Sequence, residues 1–453
     1  MNKSKSDLSV IKKDENPIQQ QQSLKEIVLE WGSSSSAHGF PGIFSKNTNW
    51  FIKLVWLSLM LGSWSYCFYT IVTTMVKYYD YQADTKIQYI NEIPARYPQI
   101  DICNLSPYKD TQDNLIPFKN ITNAFTKAKA YIKERLLFEK EKTIGNPAYF
   151  ENKTQKWNEM FMSCKFNGKN CFDYDFDYYE NFYYGKCYRF NGPKDKNRTI
   201  SKSGTNFGLE IEISTGLNKN LTVSSGFKIL INNQSFNSFP EENGIDITHG
   251  HQTNIAISRT FNEKLSWPYN DCLDNFQESK YNYLIEKSKT LKQMKQNAKD
   301  DEQQEYDPNL CFKMCYQKYF IDECNCTLMD LPKYNINGDP ESCYSIGKMN
   351  CSNENDEKFF STSAVDDCIS QCPTRCSEFL YDTKLSFSTY PSEWFSTYCL
   401  KNNFSIIGDY LKTVALVNIY FNEMSYMHVY QEPSISIDSL FGTIGGQLGK
   451  LER

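Results

Sequence analysis

The feature that most constrains this chain is one uninterrupted apolar segment close to its N-terminus. Residues 54–76 read LVWLSLMLGSWSYCFYTIVTTMV, carry no charged side chain and are flanked by Lys53 and Lys77. As a helix this segment is about 34 Å long, which is enough to cross the hydrocarbon core of a bilayer. A cleaved signal peptide is disfavoured, because the apolar run is too long and begins only after residue 53. We therefore predict a transmembrane helix over residues 50–77, in contact with membrane lipid.

The residues beyond this helix have the composition of an extracellular region. Of the sixteen cysteines, Cys67 lies within the helix and the other fifteen follow it, whereas residues 1–49 contain none. Many cysteines together with N-glycosylation motifs indicate an oxidising compartment outside the cell. The acceptors of eight such motifs are Asn120, Asn152, Asn197, Asn220, Asn233, Asn325, Asn350 and Asn403. We predict a plasma-membrane protein with a cytoplasmic tail at residues 1–49 and an extracellular cysteine-rich domain at residues 78–432.

Two other classes of protein find no support in the sequence. The formal net charge is −5, which argues against a protein that binds nucleic acid. No nucleotide-binding loop, His-Glu zinc motif or Ser-His-Asp set is recognisable, so we do not expect an enzyme, a cofactor or a metal site.

The extracellular region mixes strand and helix patterns, which predicts an α+β fold. Residues 207–214 alternate apolar and polar side chains with the period of a half-buried strand. Further strands are predicted at residues 227–231, 254–258 and 414–421. Residues 119–140 and 276–304 contain neither Pro nor Gly and are predicted to be helices. The second helix precedes the densest cysteine cluster, so it is interpreted either as a mechanical lever or as a solvated helix that stabilises the domain.

An ordered series of motifs identifies a family. In chain order they are RYPQIDICNLSPY, YYGKCYRFN, SGFKILIN, LSWPYNDC, CFKMCYQKYFIDECNCTLMDLP, CISQCPTRCSEFLY and GTIGGQLG. A membrane helix precedes them, and the dipeptide His38-Gly39 lies about a dozen residues before that helix. The series resembles the epithelial sodium channel/degenerin/acid-sensing ion channel family, and the resemblance covers residues 38–449.

The resemblance implies the function of the chain. Members of this family are subunits of trimeric, amiloride-sensitive, sodium-selective cation channels, with two membrane helices around a large disulfide-bonded ectodomain that gates the pore. The ectodomain has a hand-like β-core and a helical thumb, and sodium is the permeant ion. His38 and Gly39 match the cytoplasmic gating motif. The implied partners are identical or related subunits in a homo- or heterotrimer, and an extracellular ligand such as a proton or a peptide.

The resemblance also implies a pairing for fourteen cysteines. The pairs are Cys103–Cys187, Cys164–Cys171, Cys272–Cys376, Cys311–Cys372, Cys315–Cys368, Cys324–Cys351 and Cys326–Cys343. One departure concerns Cys368, because the family usually has C-x-C-x3-C where this chain has C-x3-C-x3-C. Cys399 is left over and is either free, buried or bonded to another chain.

The family couples its ectodomain to the pore through an aromatic contact near the membrane. The loop residue here is Tyr269, with Trp267 nearby, and its partner is one of Tyr78, Tyr79 and Tyr81. We favour Tyr81. The alternative is that these are ordinary aromatic residues at a membrane interface.

The C-terminal residues 433–453 are predicted to begin a second membrane helix. Small residues are needed where helices cross near an ion path, and the segment supplies Gly442, Gly445, Gly446 and Gly449. In the family an apolar stretch with a Gly-x-Ser selectivity filter follows, whereas this sequence continues with Lys-Leu-Glu-Arg and stops. We therefore expect a truncated second helix and no current from this chain alone. The sequence is then either a shortened copy or a non-conducting regulatory isoform.

One competing function and two candidate sensor segments remain open. The competing function is a single-pass ectodomain for ligand binding or adhesion, which has no use for the GTIGGQLG segment. The acidic residues Asp173, Asp175, Asp177 and Glu180 form either a proton or calcium sensor or the exposed face of a strand. The THGHQ segment at residues 248–252 is either a metal or proton site or a solvated loop.

Overall fold

The computed structural model of the protein describes residues 24–35, 39–45, 48–106, 147–193, 198–216, 224–234, 238–281, 305–331, 341–345, 347–401 and 411–452. The chain divides into two compact units. The first comprises Met1–Asp84 and Pro433–Arg453, and the second comprises Thr85–Glu432.

The first unit is mainly helical in its described residues. Its helices are α1 (Leu24–Ser34), α2 (Phe40–Phe44), α3 (Trp50–Tyr79) and α11 (Ile437–Glu452). Among the described residues, α3 is the one helix that is long and apolar enough to cross a membrane. Its thirty residues correspond to about 45 Å. Most of its large apolar side chains are exposed, as expected of side chains that face lipid, and α11 contacts it within this unit.

The second unit contains one large mixed sheet. Its strands are β1 (Ala83–Asn91), β4 (Phe161–Phe166), β5 (Lys169–Asn170), β9 (Leu209–Ser214), β12 (His251–Glu263), β17 (Ser377–Thr389) and β18 (Val414–Pro433). Their order is β17–β12–β18–β9–β4–β5, and β1 pairs with β18 beside this path. β12 lies parallel to β18 and antiparallel to β17.

A smaller antiparallel sheet and three short strand pairs complete the β-structure of the described residues. The smaller sheet contains β3 (Gln99–Asn104), β6 (Phe176–Asn181), β7 (Gly185–Phe190), β10 (Phe227–Asn232) and β11 (Ile245–Ile247). Its order is β11–β10–β3–β7–β6. The short pairs are β2 (Ala95–Arg96) with β8 (Thr199–Ile200), β13 (Cys272–Leu273) with β16 (Thr374–Arg375), and β14 (Cys326–Thr327) with β15 (Glu341–Ser342).

The main hydrophobic core draws on both sheets. In β9, Leu209, Ile211 and Ile213 are fully buried, whereas the intervening glutamates are half-exposed. These side chains belong to the same core cluster as Ile102 of β3 and Phe227 of β10. Because alternate residues of a strand point to opposite faces, one apolar face of each sheet is sufficient to build this core.

The second unit also carries seven short or medium helices in the residues that the structure describes. They are α4 (Pro147–Lys153), α5 (Trp157–Met160), α6 (Pro240–Asn243), α7 (Pro308–Cys324), α8 (Met349–Ser361), α9 (Ala364–Gln371) and α10 (Glu393–Lys401). Helix α7 begins where the Asp307 side chain accepts a hydrogen bond from the Asn309 amide, with Pro308 in its first turn. It ends at Asn325, which adopts a left-handed conformation.

Seven disulfides cross-link the second unit. They join Cys103–Cys187, Cys164–Cys171, Cys272–Cys376, Cys311–Cys372, Cys315–Cys368, Cys324–Cys351 and Cys326–Cys343. These pairs coincide with the pairing that the family resemblance implies, including the pair that contains Cys368. Cys67 and Cys399 are buried thiols outside any disulfide.

The cysteine-bearing helix is not the one that the sequence pattern indicated. The predicted helix at residues 276–304 begins in the structure as a short 3₁₀ turn at Phe276–Glu278. Residues 282–304, like the predicted helix at 119–140, lie outside the described residues. The cross-linked cysteines lie on and around α7, which the sequence analysis did not predict. Polar Lys313 and Gln317 are buried on α7 together with apolar residues, so no clean apolar stripe marks it as a helix.

Two predicted strands are too short. Residues 254–258 belong to β12, which runs over His251–Glu263, and residues 414–421 belong to β18, which runs over Val414–Pro433. After Phe421 most of β18 is only half-buried, so the apolar pattern that marks its first half is missing from its second half. The strand predicted at 207–214 begins two residues later, at Leu209, because Thr205–Phe207 forms a 3₁₀ turn.

We predict that Cys311–Cys372 and Cys315–Cys368 are separate, unscrambled pairs in the mature protein. Their Cα atoms are 5.7 Å apart in both cases, within the usual range for a disulfide. Non-reducing peptide mapping of protein isolated from the cell surface should recover both pairs. Exchange of the partners, or any of these four cysteines recovered as a free thiol, would contradict the structure.

The same experiment contains its own control. Cys67 and Cys399 should react with a thiol reagent without prior reduction, but only after denaturation, because both are buried. Labelling of Cys399 in the native protein, or its recovery in an interchain disulfide, would contradict its buried position.

Candidate functional site

Gly39 begins α2 in a backbone conformation that favours glycine. Its φ is +99°, a region that residues with a Cβ rarely adopt. A Cβ added at Gly39 would lie 3.9 Å from side-chain atoms of Trp56 and Met60 of α3. At Gly42 the added atom would lie only 2.8 Å from the Trp56 ring, so α2 lies close against α3. The other residue of the predicted gating motif, His38, lies outside the described residues.

The four glycines predicted near the pore lie on α11. A Cβ added at Gly442, Gly445, Gly446 or Gly449 would meet no atom of the described residues within 4 Å. This face of α11 is therefore uncovered within the described part of the chain.

The aromatic residues predicted to couple the ectodomain to the pore occupy two connecting segments. Tyr81 lies between α3 and β1 with a φ of +49°, and its ring centroid is 6.5 Å from those of Tyr78 and Tyr79. Trp267 is 83% exposed, and the Tyr269 amide donates a hydrogen bond to the Ser266 carbonyl. The partnership of Tyr81 with Tyr269 stays a prediction.

A buried lysine joins the cross-linked helix α7 to the loop around α6. The Nζ atom of Lys313 lies 3.2 Å from a carboxylate oxygen of Glu241 and 2.8 Å from one of Glu242. It also lies 4.9 Å from the centroid of the Phe239 ring. Burial opposes the charge on Lys313, but the two glutamates outweigh it and raise the pKa of the ammonium group. Sequence reasoning missed this contact, because the partners are about 72 residues apart and none belongs to a recognisable motif.

The hairpin between β6 and β7 contacts residues that follow the short strands β14 and β15. The Tyr183 hydroxyl donates a hydrogen bond to the Asp330 carboxylate at 2.6 Å. The Phe182 ring stacks on the ring of Tyr344, with centroids 5.9 Å apart. Burial and Asp330 together raise the pKa of Tyr183, which keeps its hydroxyl a donor. One polar contact and one aromatic contact therefore attach the hairpin tip to Asp330 and Tyr344.

The acidic stretch, interpreted either as a proton or calcium sensor or as the exposed face of a strand, is divided between a 3₁₀ turn and β6. Asp173 and Asp175 belong to a 3₁₀ turn, and Asp175 pairs with Arg198 at 2.8 Å. Asp177 and Glu180 lie on β6, where Asp177 is half-buried and Glu180 is exposed. Among the described residues, no group of three or more His, Cys, Asp or Glu side chains could hold a metal ion. Burial, and then the neighbouring Glu151, raise the pKa of Glu180.

Asp307 is a second carboxyl group whose proton affinity is raised. It is the N-cap of α7, and burial raises the pKa of its carboxyl group, whereas Arg375 and two backbone amides oppose that shift. The protonated form of Asp307 is therefore favoured in the folded state more than in the unfolded chain. Asp307 lies at the N-terminus of the cross-linked helix, where the loss of its charge removes a favourable interaction with the helix dipole.

The glycosylation acceptors differ in their accessibility. Asn152, Asn325 and Asn350 are exposed, as a glycan requires. Asn233 is half-buried and lines a cavity. Asn120, Asn197, Asn220 and Asn403 lie outside the described residues.

The described residues thus include one helix long and apolar enough to cross a membrane, a second unit cross-linked by seven disulfides, and a helix near the C-terminus that contacts the first helix. The chain belongs to the amiloride-sensitive sodium channel family, which matches residues 31–449. Members of this family are plasma-membrane ion channels and not enzymes.

Several relatives are similar over almost the whole chain. Acid-sensing ion channel 1C of Danio rerio is 24% identical over 92% of this chain and 79% of its own length. Acid-sensing ion channel 1 of Gallus gallus is 23% identical over 97% of this chain and 83% of its own length. Acid-sensing ion channel 2 of Homo sapiens is 24% identical over 92% of this chain and 82% of its own length.

We predict that Gly39→Ala, introduced into the complete reading frame that contains this sequence, lowers the whole-cell current at equal surface expression. A Cβ at a φ of +99° is strained, which costs about 1 kcal/mol or more and corresponds to roughly a fivefold shift of an equilibrium. Whole-cell recording and surface biotinylation would be measured in parallel. The matched control is Gly62→Ala within α3, where the added atom meets no atom within 4 Å. An unchanged current in Gly39→Ala would show that this conformation is not required.

We predict that Asp307 makes stability depend on pH. Its pKa is raised above 3.8 in the folded state, so its contribution to stability is full below about pH 3.8 and is lost as pH rises through the folded pKa. Asp307→Asn keeps an N-cap acceptor and removes the ionisation, so its melting temperature should change less between pH 4 and pH 7 than that of the wild type. Asp307→Ala should lose about 1 kcal/mol through the missing cap. Thermal unfolding with identical pH profiles for wild type and Asp307→Asn would refute this role.

Proposed function

We propose that the chain is a subunit of a trimeric, sodium-selective, amiloride-sensitive channel whose extracellular domain controls the pore. The observation that carries the proposal is the family match, which runs from residue 31 to residue 449 and therefore includes α3, the ectodomain and most of α11. An ectodomain used only for adhesion or ligand binding has no need of a second apolar helix that contacts the first.

The chain connections support control of the pore by the ectodomain. Three residues separate α3 from β1, and three separate β18 from α11. The two short connections are hydrogen-bonded to each other, because Ser434 donates to the Gln82 carbonyl at 2.9 Å and to the Asp84 carboxylate at 2.8 Å. Since β1 and β18 are themselves paired, a displacement of this strand pair acts on both helices at once.

The uncovered glycine face of α11 supports assembly with other subunits. Close helix packing in membranes uses small residues, and no atom of the described residues covers Gly442 or Gly446. We propose that α11 helices of neighbouring subunits cross at this face, in a homotrimer or with related subunits, and that the N-terminal tail is cytoplasmic.

We propose an extracellular ligand as the stimulus, with the proton as the first candidate. The similar proteins are named as acid-sensing channels. Asp307 and Glu180 have raised pKa values, so they take up protons before ordinary carboxylates on acidification. Tyr81, Trp267 and Tyr269 are proposed as the residues through which the ectodomain acts on the pore.

We predict an acid-evoked sodium current that depends on Tyr269. The complete reading frame that contains this sequence would be expressed in cells and recorded during steps to low extracellular pH. Amiloride, or replacement of sodium by a large organic cation, should abolish the inward current. Tyr269→Ala should reduce the response several-fold at unchanged surface expression, because an aromatic pair contributes about 0.5–1.5 kcal/mol.

The control is Tyr174→Ala, which removes an aromatic ring that is 75% exposed and lies in the acidic stretch. It should leave the response unchanged. Surface protein that migrates as a monomer on native gels and carries no amiloride-blocked current under any extracellular stimulus would favour the alternative, a ligand-binding or adhesion ectodomain. An acid response in Tyr269→Ala that matches the wild type would remove Tyr269 from the coupling pathway.

A further inference from the structure

A small cavity in the second unit is lined by Arg259, which lies at a register shift between β12 and β18. Ile257 of β12 pairs with Phe421, but Arg259, two residues later, pairs with Tyr426, so β18 has extra residues at this point. The cavity has a volume of about 130 Å³, which corresponds to about four water molecules. Its wall includes Glu92, Arg96, Tyr97, Arg259, Phe379 and Tyr381, and we call it the Arg259 cavity.

The guanidinium of Arg259 is buried with one donor unused. Arg259 is only 4% exposed, and its Nη atoms donate to the Glu92 carboxylate and to the Met424 carbonyl. Its Nε atom is buried and has no hydrogen-bond partner among the described residues. The guanidinium lies over the Phe421 ring at 4.5 Å. A buried donor without a partner is costly, so this position favours an acceptor from outside the chain.

The charge of the cavity favours a monoanion. Arg96 is exposed, and within the described ranges no salt bridge joins its guanidinium to a carboxylate. Glu92 is the single acidic residue of the lining, against the two arginines. The lining therefore has a formal charge of about +1, which one negative charge neutralises.

The remaining wall favours a ligand with a short apolar part. The Tyr97 hydroxyl already donates to the Ile419 carbonyl at 2.8 Å, so Tyr97 offers chiefly its ring, beside the ring of Phe379. Burial raises the pKa of Tyr381 to about 12, which keeps its hydroxyl protonated. In the described part of the chain that hydroxyl makes no hydrogen bond that would occupy it.

We propose that the Arg259 cavity binds a small monocarboxylate, with the carboxylate between Arg259 and Arg96 and a short apolar group against Phe379. A carboxylate is planar and accepts hydrogen bonds at two oxygens, which suits two guanidinium groups better than a spherical ion does. Asn233, the acceptor of a predicted glycosylation motif, also lines this cavity, but a glycan attached to it would be neutral and would not replace the anion. The site does not depend on ion conduction and is therefore independent of the proposed channel function.

Benzoate is a suitable probe, with benzamide as its neutral analogue. The complete protein would be placed in lipid nanodiscs with Ser235→Ala, which removes the glycosylation motif and keeps Asn233. Calorimetric titration should give a benzoate Kd on the order of 1 mM or tighter, as expected for a ligand of this size. Benzamide should bind at least about tenfold more weakly, because a hydrogen bond to a charged group is stronger than one to a neutral group.

Three variants locate the site without removing the buried Arg259. Arg96→Gln should weaken benzoate binding at least about tenfold, and Tyr381→Phe about threefold. Lys384→Gln removes the same charge from an exposed residue of β17 outside the cavity and should leave the Kd within about twofold. All variants should melt within a few degrees of the parent protein.

Four results would overturn the proposal. They are no benzoate binding up to about 20 mM, equal binding of benzamide, an equal loss of affinity in Lys384→Gln and Arg96→Gln, and displacement of benzoate by chloride at equal concentration. The absence of benzoate binding would exclude a carboxylate site, and equal binding of benzamide would exclude recognition of the charge. An equal loss of affinity in the two variants would place the anion outside the cavity. Displacement by chloride would assign the cavity to an inorganic ion.

Discussion

The arrangement of α7, α8 and α9 depends on the disulfides that cross-link α7. Helix α7 has no clean apolar face, and Lys313 and Gln317 are among its buried side chains. Three disulfides include a cysteine of α7, and a fourth includes Cys326, which lies two residues after its end. They close loops of 17 to 61 residues. Such cross-links restrict the unfolded chain, and each alone contributes about 2–4 kcal/mol, less where the loops are nested. This region combines these cross-links with two buried apolar clusters, which include Phe320 and Phe359.

Buried ion pairs join β3 to β7 in the smaller sheet and α7 to α6. Asp101 of β3 is fully buried and pairs with Arg189 of β7 at 2.9 Å, and Lys313 of α7 is held by two glutamates. A buried pair adds little net stability over an apolar pair, but removal of one partner leaves an uncompensated charge. These contacts consequently define which residues face each other.

The sequence was sufficient to predict the long apolar helix, the mixed α+β fold and the family, because each depends on local or ordered signals. The apolar run at residues 54–76 needs no tertiary information, and neither does the alternation in β9. The cysteine pairing came from the motif series and not from spacing alone. Helix α7 and the second half of β18 escaped prediction, because their burial is set by disulfides and by neighbouring strands rather than by a periodic pattern.

Only the tertiary structure decided which charged side chains contact each other in the second unit. Lys313 and Glu241 are 72 residues apart, and Arg259 and Glu92 are 167 residues apart, so no local pattern connects them. Arg259, whose Nε atom has no partner among the described residues, lies at the register shift between β12 and β18. By itself the sequence predicted the long apolar helix and the mixed α+β fold, and its motif series was sufficient to identify the family. Which charged groups meet inside that ectodomain depends on strand register and helix packing, because both are long-range properties of the folded chain.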